Sequence, residues 1–198
     1  MSPPLIQFYS PQAIEGLAQA IVEKFHKPLN SLPVEIDVIV ERDLEIRIMP
    51  FSRLQTYGLH GYLALSLKTI YIDEYLMNED YCENRYRFTV AEEVGHLLLH
   101  KDLFKGVKSP DDYLKALDQI TSLQHARMDN DAKHLGEAIL MPAEIFRQRA
   151  LSYSNESPHA GDGKRIEVYN KLAEDFSVSP DAINFRFMHL GLFDQIVF

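Results

Sequence analysis

The chain has 198 residues, 46% hydrophobic and 25% charged, a balance typical of soluble globular domains and not of disordered or fibrous proteins. Its formal net charge of −9 excludes the strong positive field that nucleic-acid and anionic-lipid binders need. A single cysteine excludes an internal disulfide and is typical of a reducing compartment. The sequence also has no signal-peptide pattern and no apolar run of membrane-spanning length, so we expect a cytoplasmic protein with no membrane or nucleic-acid partner.

Helical and strand patterns alternate along the chain. Ser10 followed by Pro11 is typical of a helix start, and alternating leucines and isoleucines between residues 63 and 72 are typical of antiparallel strands. The fold class is therefore α+β, mainly helical, with a small antiparallel sheet of about three strands. The predicted elements are a helix over residues 11–26, strands over 44–49, 63–67 and 70–72, helices within 78–100, 102–123 and 129–141, and a C-terminal helix pair over 166–176 and 181–190.

One segment separates the C-terminal pair from the rest. The run SYSNESPHAGDGK, residues 152–164, is rich in Ser, Asn, Pro and Gly, which favours an exposed loop. We therefore predict a main domain over 1–150, a linker over 151–164 and a helix-turn-helix-like unit over 165–198. Acidic residues outnumber basic ones in that unit, which favours packing or protein binding over DNA recognition.

The segment FTVAEEVGHLLLH combines an apolar helix face with a polar stripe. Glu92 and His96 are at positions i and i+4, one helical turn apart, so both can reach one metal ion, as in zinc-peptidase helices. Glu93 follows the first ligand position, where a general base would accept a proton from water. Two alternatives compete: Glu92 could complete a capping box with Thr89, and His96 could be an ordinary hydrogen-bonded core histidine. The stripe consists of Glu92, Glu93, His96 and His100.

A second helix, in MDNDAKHLGEAILMP, contains an aspartate on its apolar arc. Asp131 shares that arc with Leu135 and Ala138, so its carboxylate is predicted to point inward. A buried carboxylate is costly unless it is paired or binds a cation, which suggests an ion shared with Glu92 and His96. The alternative is an aspartate in the first turn that interacts with its own helix dipole.

Several segments in order resemble the ImmA/IrrE family of metallopeptidases. The resemblance implies a zinc-dependent endopeptidase fold whose members act on helix-turn-helix repressors and so release stress-response or mobile-element genes. The segments that carry it are PVEIDVIVERDLEIRIMPF, the strand at residues 70–73, RYRFTVAEEVGHLLLH, DNDAKHLGEAILMP, and the C-terminal LAEDFSVSPDAINFRFMHLGL.

By this resemblance, Glu93 matches the general base and His96 matches the second histidine ligand. Glu92 stands where the family has its first histidine, so HExxH is altered to EExxH, and Asp131 stands where the family has a ligand glutamate. Such a Glu/His/Asp shell carries one more negative charge than His/His/Glu and favours Mn, Mg or Ca more than the usual shell does, although zinc accepts carboxylates. His100 and His134 are spare ligands, and a metal-free protein is a further alternative.

Two functions follow from the resemblance. The first is a metal-dependent endopeptidase that cleaves a partner protein, such as a helix-turn-helix repressor. The second is a catalytically weak or inactive member of the family that acts as a protein-binding regulatory module.

Overall fold

Helices enclose a three-stranded sheet in the computed structural model, which describes residues 6–29, 31–196 and 198. Short 3₁₀ turns join the strands, and a π-helical turn, Ile39–Asp43, extends the second helix. The elements are α1 (Pro11–Phe25), α2 (Ile36–Val38), β1 (Arg47–Phe51), β2 (Gly61–Ala64), β3 (Thr69–Asp73), α3 (Glu74–Asn78), α4 (Glu83–Leu99), α5 (Pro110–Leu117), α6 (Ser122–Leu140), α7 (Ala143–Glu156), α8 (Gly161–Phe176) and α9 (Pro180–His189).

The sheet is mixed, with β3 between the other two strands. The small three-stranded sheet is thus confirmed, and β2 pairs antiparallel with β3, as predicted. However, β1 pairs parallel with β3, with Arg47 opposite Thr69, so the prediction of a wholly antiparallel sheet was wrong. The chain reverses direction once between β1 and β2 and again between β2 and β3. Two reversals bring β3 back parallel to β1, which the alternation of side chains along a strand does not reveal.

Helices α4 and α6 form the centre of the fold, and their backbones approach closely at two glycines. A Cβ atom at Gly95 would lie 2.4 Å from the carbonyl oxygen of Ala132, and one at Gly136 would lie 2.8 Å from the carbonyl carbon of Ala91. Residues 91 and 95 thus face residues 136 and 132, so the helices run antiparallel. Any larger side chain would push the two helices apart, along with the polar groups between them.

The predicted linker over 151–164 is wrong in its extent. Helix α7 continues to Glu156 and α8 begins at Gly161, so only residues 157–160 connect them. The Ser- and Asn-rich sequence remains helical because Ser154 is buried against the core while Ser152 donates a hydrogen bond to Glu156 at 2.5 Å. Composition alone therefore misjudged this segment.

A buried arginine ties the C-terminal helix to the N-terminal one. Arg186 on α9 is 0% exposed, and its Nη2 donates to Glu15 Oε2 on α1 at 3.0 Å. Its Nε also donates to the carbonyl oxygen of Met141, at the end of α6, at 2.9 Å. The predicted C-terminal helix pair is present: α8 packs against α7 and α9, and α9 also contacts α6. No helix in the described part of the chain is long and apolar enough to cross a membrane.

Candidate metal and catalytic site

Helix α4 carries the polar stripe between the sheet and α6. It begins at Glu83, so Glu92 lies in its middle and cannot cap its start, and the capping-box alternative is wrong. Of the stripe, Glu93 is 4% exposed, His96 2% and His100 4%. Glu92, Glu93 and His96 lie within α4, as predicted, whereas His100 is the residue that ends the helix.

Glu93 is a buried carboxyl group with an incomplete set of partners. The backbone of Leu63 on β2 lowers its pKa slightly, but its Oε2 has no hydrogen-bond partner among the described residues. Burial raises the pKa of Glu93 well above its usual range, and the nearby carboxylates of Glu92 and Asp129 raise it further. A carboxyl group with a raised pKa accepts and releases protons closer to neutral pH than an exposed one, as general acid–base catalysis requires.

His96 is held as a neutral imidazole. Burial lowers the pKa of His96 to about 3, with further lowering by His100, His125 and Lys133. Its Nδ1 has no hydrogen-bond partner among residues 6–29, 31–196 and 198, which distinguishes it from an ordinary hydrogen-bonded core histidine. Neutral imidazole has a free lone pair and is the form that binds metal ions.

The carboxylate that α6 presents to His96 is Asp129, at 3.7 Å between Oδ1 and Nε2, and not Asp131. Asp131 is buried, as predicted, but its Oδ2 accepts a hydrogen bond from the Tyr9 backbone N–H at 3.2 Å, on the side of α1. The two aspartates lie about 200° apart around the helix, so only one can face α4. The predicted convergence of Glu92, His96 and Asp131 is therefore wrong. Because α6 starts at Ser122, the first-turn alternative for Asp131 is wrong too.

Glu92 already has a cationic neighbour within the protein. Its Oε1 lies 3.6 Å from Nζ of Lys133, which is one helical turn beyond Asp129 on the α6 face that meets α4. Burial raises the pKa of Glu92, an effect that Lys133 opposes. Glu92 is thus engaged in an ion pair where the sequence analysis predicted a metal ligand.

The spare histidines have different surroundings. His134 lies on the α1 side, with its Nε2 3.0 Å from Glu15 Oε1 and its ring stacked on His189, so it is not beside His96. The ring centroids of His100 and His96 are 5.6 Å apart. Both ring nitrogens of His100 are buried without a partner in the described part of the chain. His100 therefore remains close to the site, whereas His134 does not.

Sequence reasoning missed four residues around this site. His125, Asp129 and Lys133 lie one turn apart on α6, and this i, i+4 spacing was a usable signal. No spacing in the sequence indicated Tyr113, because it lies on a separate helix, α5. Burial raises the pKa of Tyr113 well above its usual range, with contributions from Glu93 and Asp129, so its hydroxyl lies near the site carboxylates.

The donors suit a divalent cation, although they do not form a finished site. No three His, Cys, Asp or Glu side chains among the described residues are arranged as a metal-binding group. Even so, His96 is neutral with an unpartnered nitrogen, and its other nitrogen faces the Asp129 carboxylate. One imidazole and one carboxylate from facing helices are chemically suitable ligands for zinc, so the residues present fit the cation.

The chain matches the model of a known protein family. The model of the IrrE N-terminal-like domain, in the peptidase family M78, matches residues 41–188. The chain belongs to this family. Membership of this family indicates a metallopeptidase-like protein and agrees with the α+β fold.

A solved structure of a Mycobacterium tuberculosis transcriptional regulator is similar, with a TM-score of 0.60 and 13% sequence identity. The match covers 89% of this chain and 46% of that chain, so the chain spans about half the length of the regulator. At this identity the likeness shows the fold alone. No curated protein matches the chain.

Proposed function

We propose that this protein is a metal-dependent endopeptidase that hydrolyses a peptide bond in a partner protein, with Glu93 as the general base. The supporting observation is the buried Glu93 carboxyl group, with one unpartnered oxygen, on the same helix face as the neutral His96. An unsatisfied buried acceptor costs about 1–3 kcal/mol of stability. Groups that are held at such a cost are concentrated at functional sites.

The chemistry divides between the cation and the protein. His96 and Asp129 would hold the cation, which is zinc by family resemblance, with Mn, Mg or Ca as alternatives, and which supplies Lewis acidity for the scissile carbonyl when bound. Glu93 takes the proton from the attacking water at its free Oε2 and returns it to the leaving amine nitrogen as the C–N bond breaks. Glu93 is the only residue of the protein that gains and loses a proton in this scheme, and it returns to its starting state.

A substrate can reach the site from one side. Glu93 and His96 are buried, but the side chains of Glu92 and Asp129 are 22% and 28% exposed, and that of His125 is 40% exposed. The three residues form a partly open polar rim at the α4–α6 junction. With a net charge of −9, the chain is complementary to the basic face of a DNA-binding protein, which supports a helix-turn-helix repressor as the partner.

A second function, a partner-binding module without proteolysis, is favoured by the Glu92–Lys133 ion pair. A fixed ammonium group beside the altered ligand position opposes the approach of a second cation. This alternative requires the same partner-binding surface but no role for Glu93.

Cleavage of a candidate repressor by the full chain, with zinc or manganese added, tests the proposal. We expect Glu93→Gln to abolish cleavage while binding of the repressor, measured by calorimetry, is retained. Glu144→Gln on α7 is the matched control, because Glu144 is exposed and is expected to be dispensable. If the wild type binds the repressor but cleaves no bond with either metal, the binding-module function replaces the peptidase.

A further inference from the structure

Two imidazoles from different helices flank the Asp129 carboxylate. His96 Nε2 on α4 lies 3.7 Å from Asp129 Oδ1, and His125 Nε2 on α6 lies 3.3 Å from Oδ2. Ligand atoms bound at about 2.0–2.1 Å to a tetrahedral ion are roughly 3.3–3.4 Å apart. Each imidazole nitrogen thus lies near that spacing from one oxygen of the carboxylate between them.

We propose that His96, His125 and Asp129 are the zinc ligands of this protein. In this arrangement His125 on α6 supplies the histidine that Glu92 replaces on α4. The proposal rests on the metal dependence proposed above and names the ligands of that same site.

The surroundings of Glu92 support its exclusion from the ligand set. Its carboxylate is paired with Lys133, at 3.6 Å. A zinc ion bound to Glu92 would have to displace that ammonium or tolerate it at short range, and both cost electrostatic energy. Lys133 also lowers the pKa of His96, but among the described residues its ion pair is with Glu92 and not with His96, His125 or Asp129.

The chemistry of the set favours zinc over harder ions. Two neutral imidazoles and one carboxylate carry a single negative charge, and nitrogen donors suit Zn, Cu or Ni, whereas Mg and Ca prefer oxygen. His125 is partly exposed, so it can turn towards an ion without repacking the core. The same exposure leaves a solvent-facing position for a water molecule or a substrate carbonyl.

The three side chains do not surround a common point in the structure. In the described residues the two imidazoles lie 3.7 Å and 3.3 Å from the carboxylate, and no three donors surround one point. We therefore expect His125 to rotate when an ion binds. Rotation of a surface histidine is a small change compared with moving a residue between helices.

Zinc affinity of the full chain, measured by competition with a chromophoric chelator, tests the ligand set. We expect His125→Gln to weaken zinc binding at least about tenfold, since losing even a group that is hydrogen-bonded to a metal ligand costs 10–100-fold. Glu92→Gln and Asp131→Asn should change it by less than about threefold. His159→Gln is the matched control, because His159 is exposed between α7 and α8. Cobalt substitution adds a second readout: the visible absorption of tetrahedral Co²⁺ should be lost in His125→Gln only.

The outcomes separate this inference from the proposed function. Tenfold weaker binding in Glu92→Gln, with His125→Gln unchanged, would overturn the ligand set and leave a metal-dependent peptidase in place. A wild-type protein that binds no divalent ion would end both proposals. Since His125 is partly exposed, His125→Gln should fold normally, which its circular dichroism and melting temperature would verify.

Discussion

Replacing Glu93 with glutamine should stabilise the metal-free protein, although it removes the general base. Glutamine has nearly the same shape, but it does not ionise. Burial raises the pKa of Glu93 in the folded state above its ordinary value, so the native state holds the proton more tightly than the unfolded state. The wild type is therefore at its full stability below that ordinary value and loses stability as the pH rises through the folded pKa. Glu93→Gln does not lose stability in this way, because glutamine has no proton to release.

The size of the gain follows from the raised pKa. A shift of one pKa unit corresponds to about 1.4 kcal/mol. The variant should therefore be more stable than the wild type by more than about 1 kcal/mol at pH 8, and nearly unchanged at pH 4, where Glu93 is largely protonated in both the folded and the unfolded state. For a chain of this length, each kcal/mol corresponds to about 2–4 °C in melting temperature. Urea denaturation would measure the difference in free energy of unfolding, and thermal melts the difference in melting temperature, both with a chelator present.

Glu144→Gln, at an exposed position, serves as the control. Its difference from the wild type in free energy of unfolding should be the same at both pH values. A Glu93→Gln protein that is destabilised by more than about 1 kcal/mol at pH 8 would refute the reasoning, because the carboxylate would then have partners that glutamine cannot replace.

Three further changes have definite outcomes. Gly136→Ala should destabilise the fold by about 1–3 kcal/mol in urea denaturation, because its Cβ would meet the α4 backbone at 2.8 Å. Glu15→Gln should cost about 1–2 kcal/mol at neutral pH because Arg186 loses its nearest carboxylate, while Glu137 stays 3.7 Å away. Burial opposes the ionisation of Glu15, yet hydrogen bonds from His134 and Arg186 lower its pKa to about 2, so this loss should shrink as the pH falls below about 4.5. Glu92→His, which restores HExxH but leaves Lys133 unpaired beside position 92, should change zinc affinity by less than about threefold in the chelator competition, because His125 already supplies the second imidazole and the ammonium opposes a cation there.

The sequence alone determined which residues lie together on one helix. The order of the motifs in the chain predicted the family, which the match over residues 41–188 confirmed. Helical periodicity placed Glu93 and His96 on one face because the geometry within a helix is local and regular. The assignment of Glu93 as general base and His96 as ligand stays a prediction.

Only the tertiary structure decided which groups meet from separate elements. Asp129 and Asp131 are both on α6, and periodicity assigned the inward position to Asp131 because apolar neighbours mark its arc. Helix α6 is packed on two sides, however, so one buried face meets α1 and another meets α4. A sequence pattern indicates that a face is buried but not which helix covers it. The same limit applies to the direction of β1 and to the arrival of Tyr113 from α5, because strand direction and contacts between helices depend on the path of the whole chain.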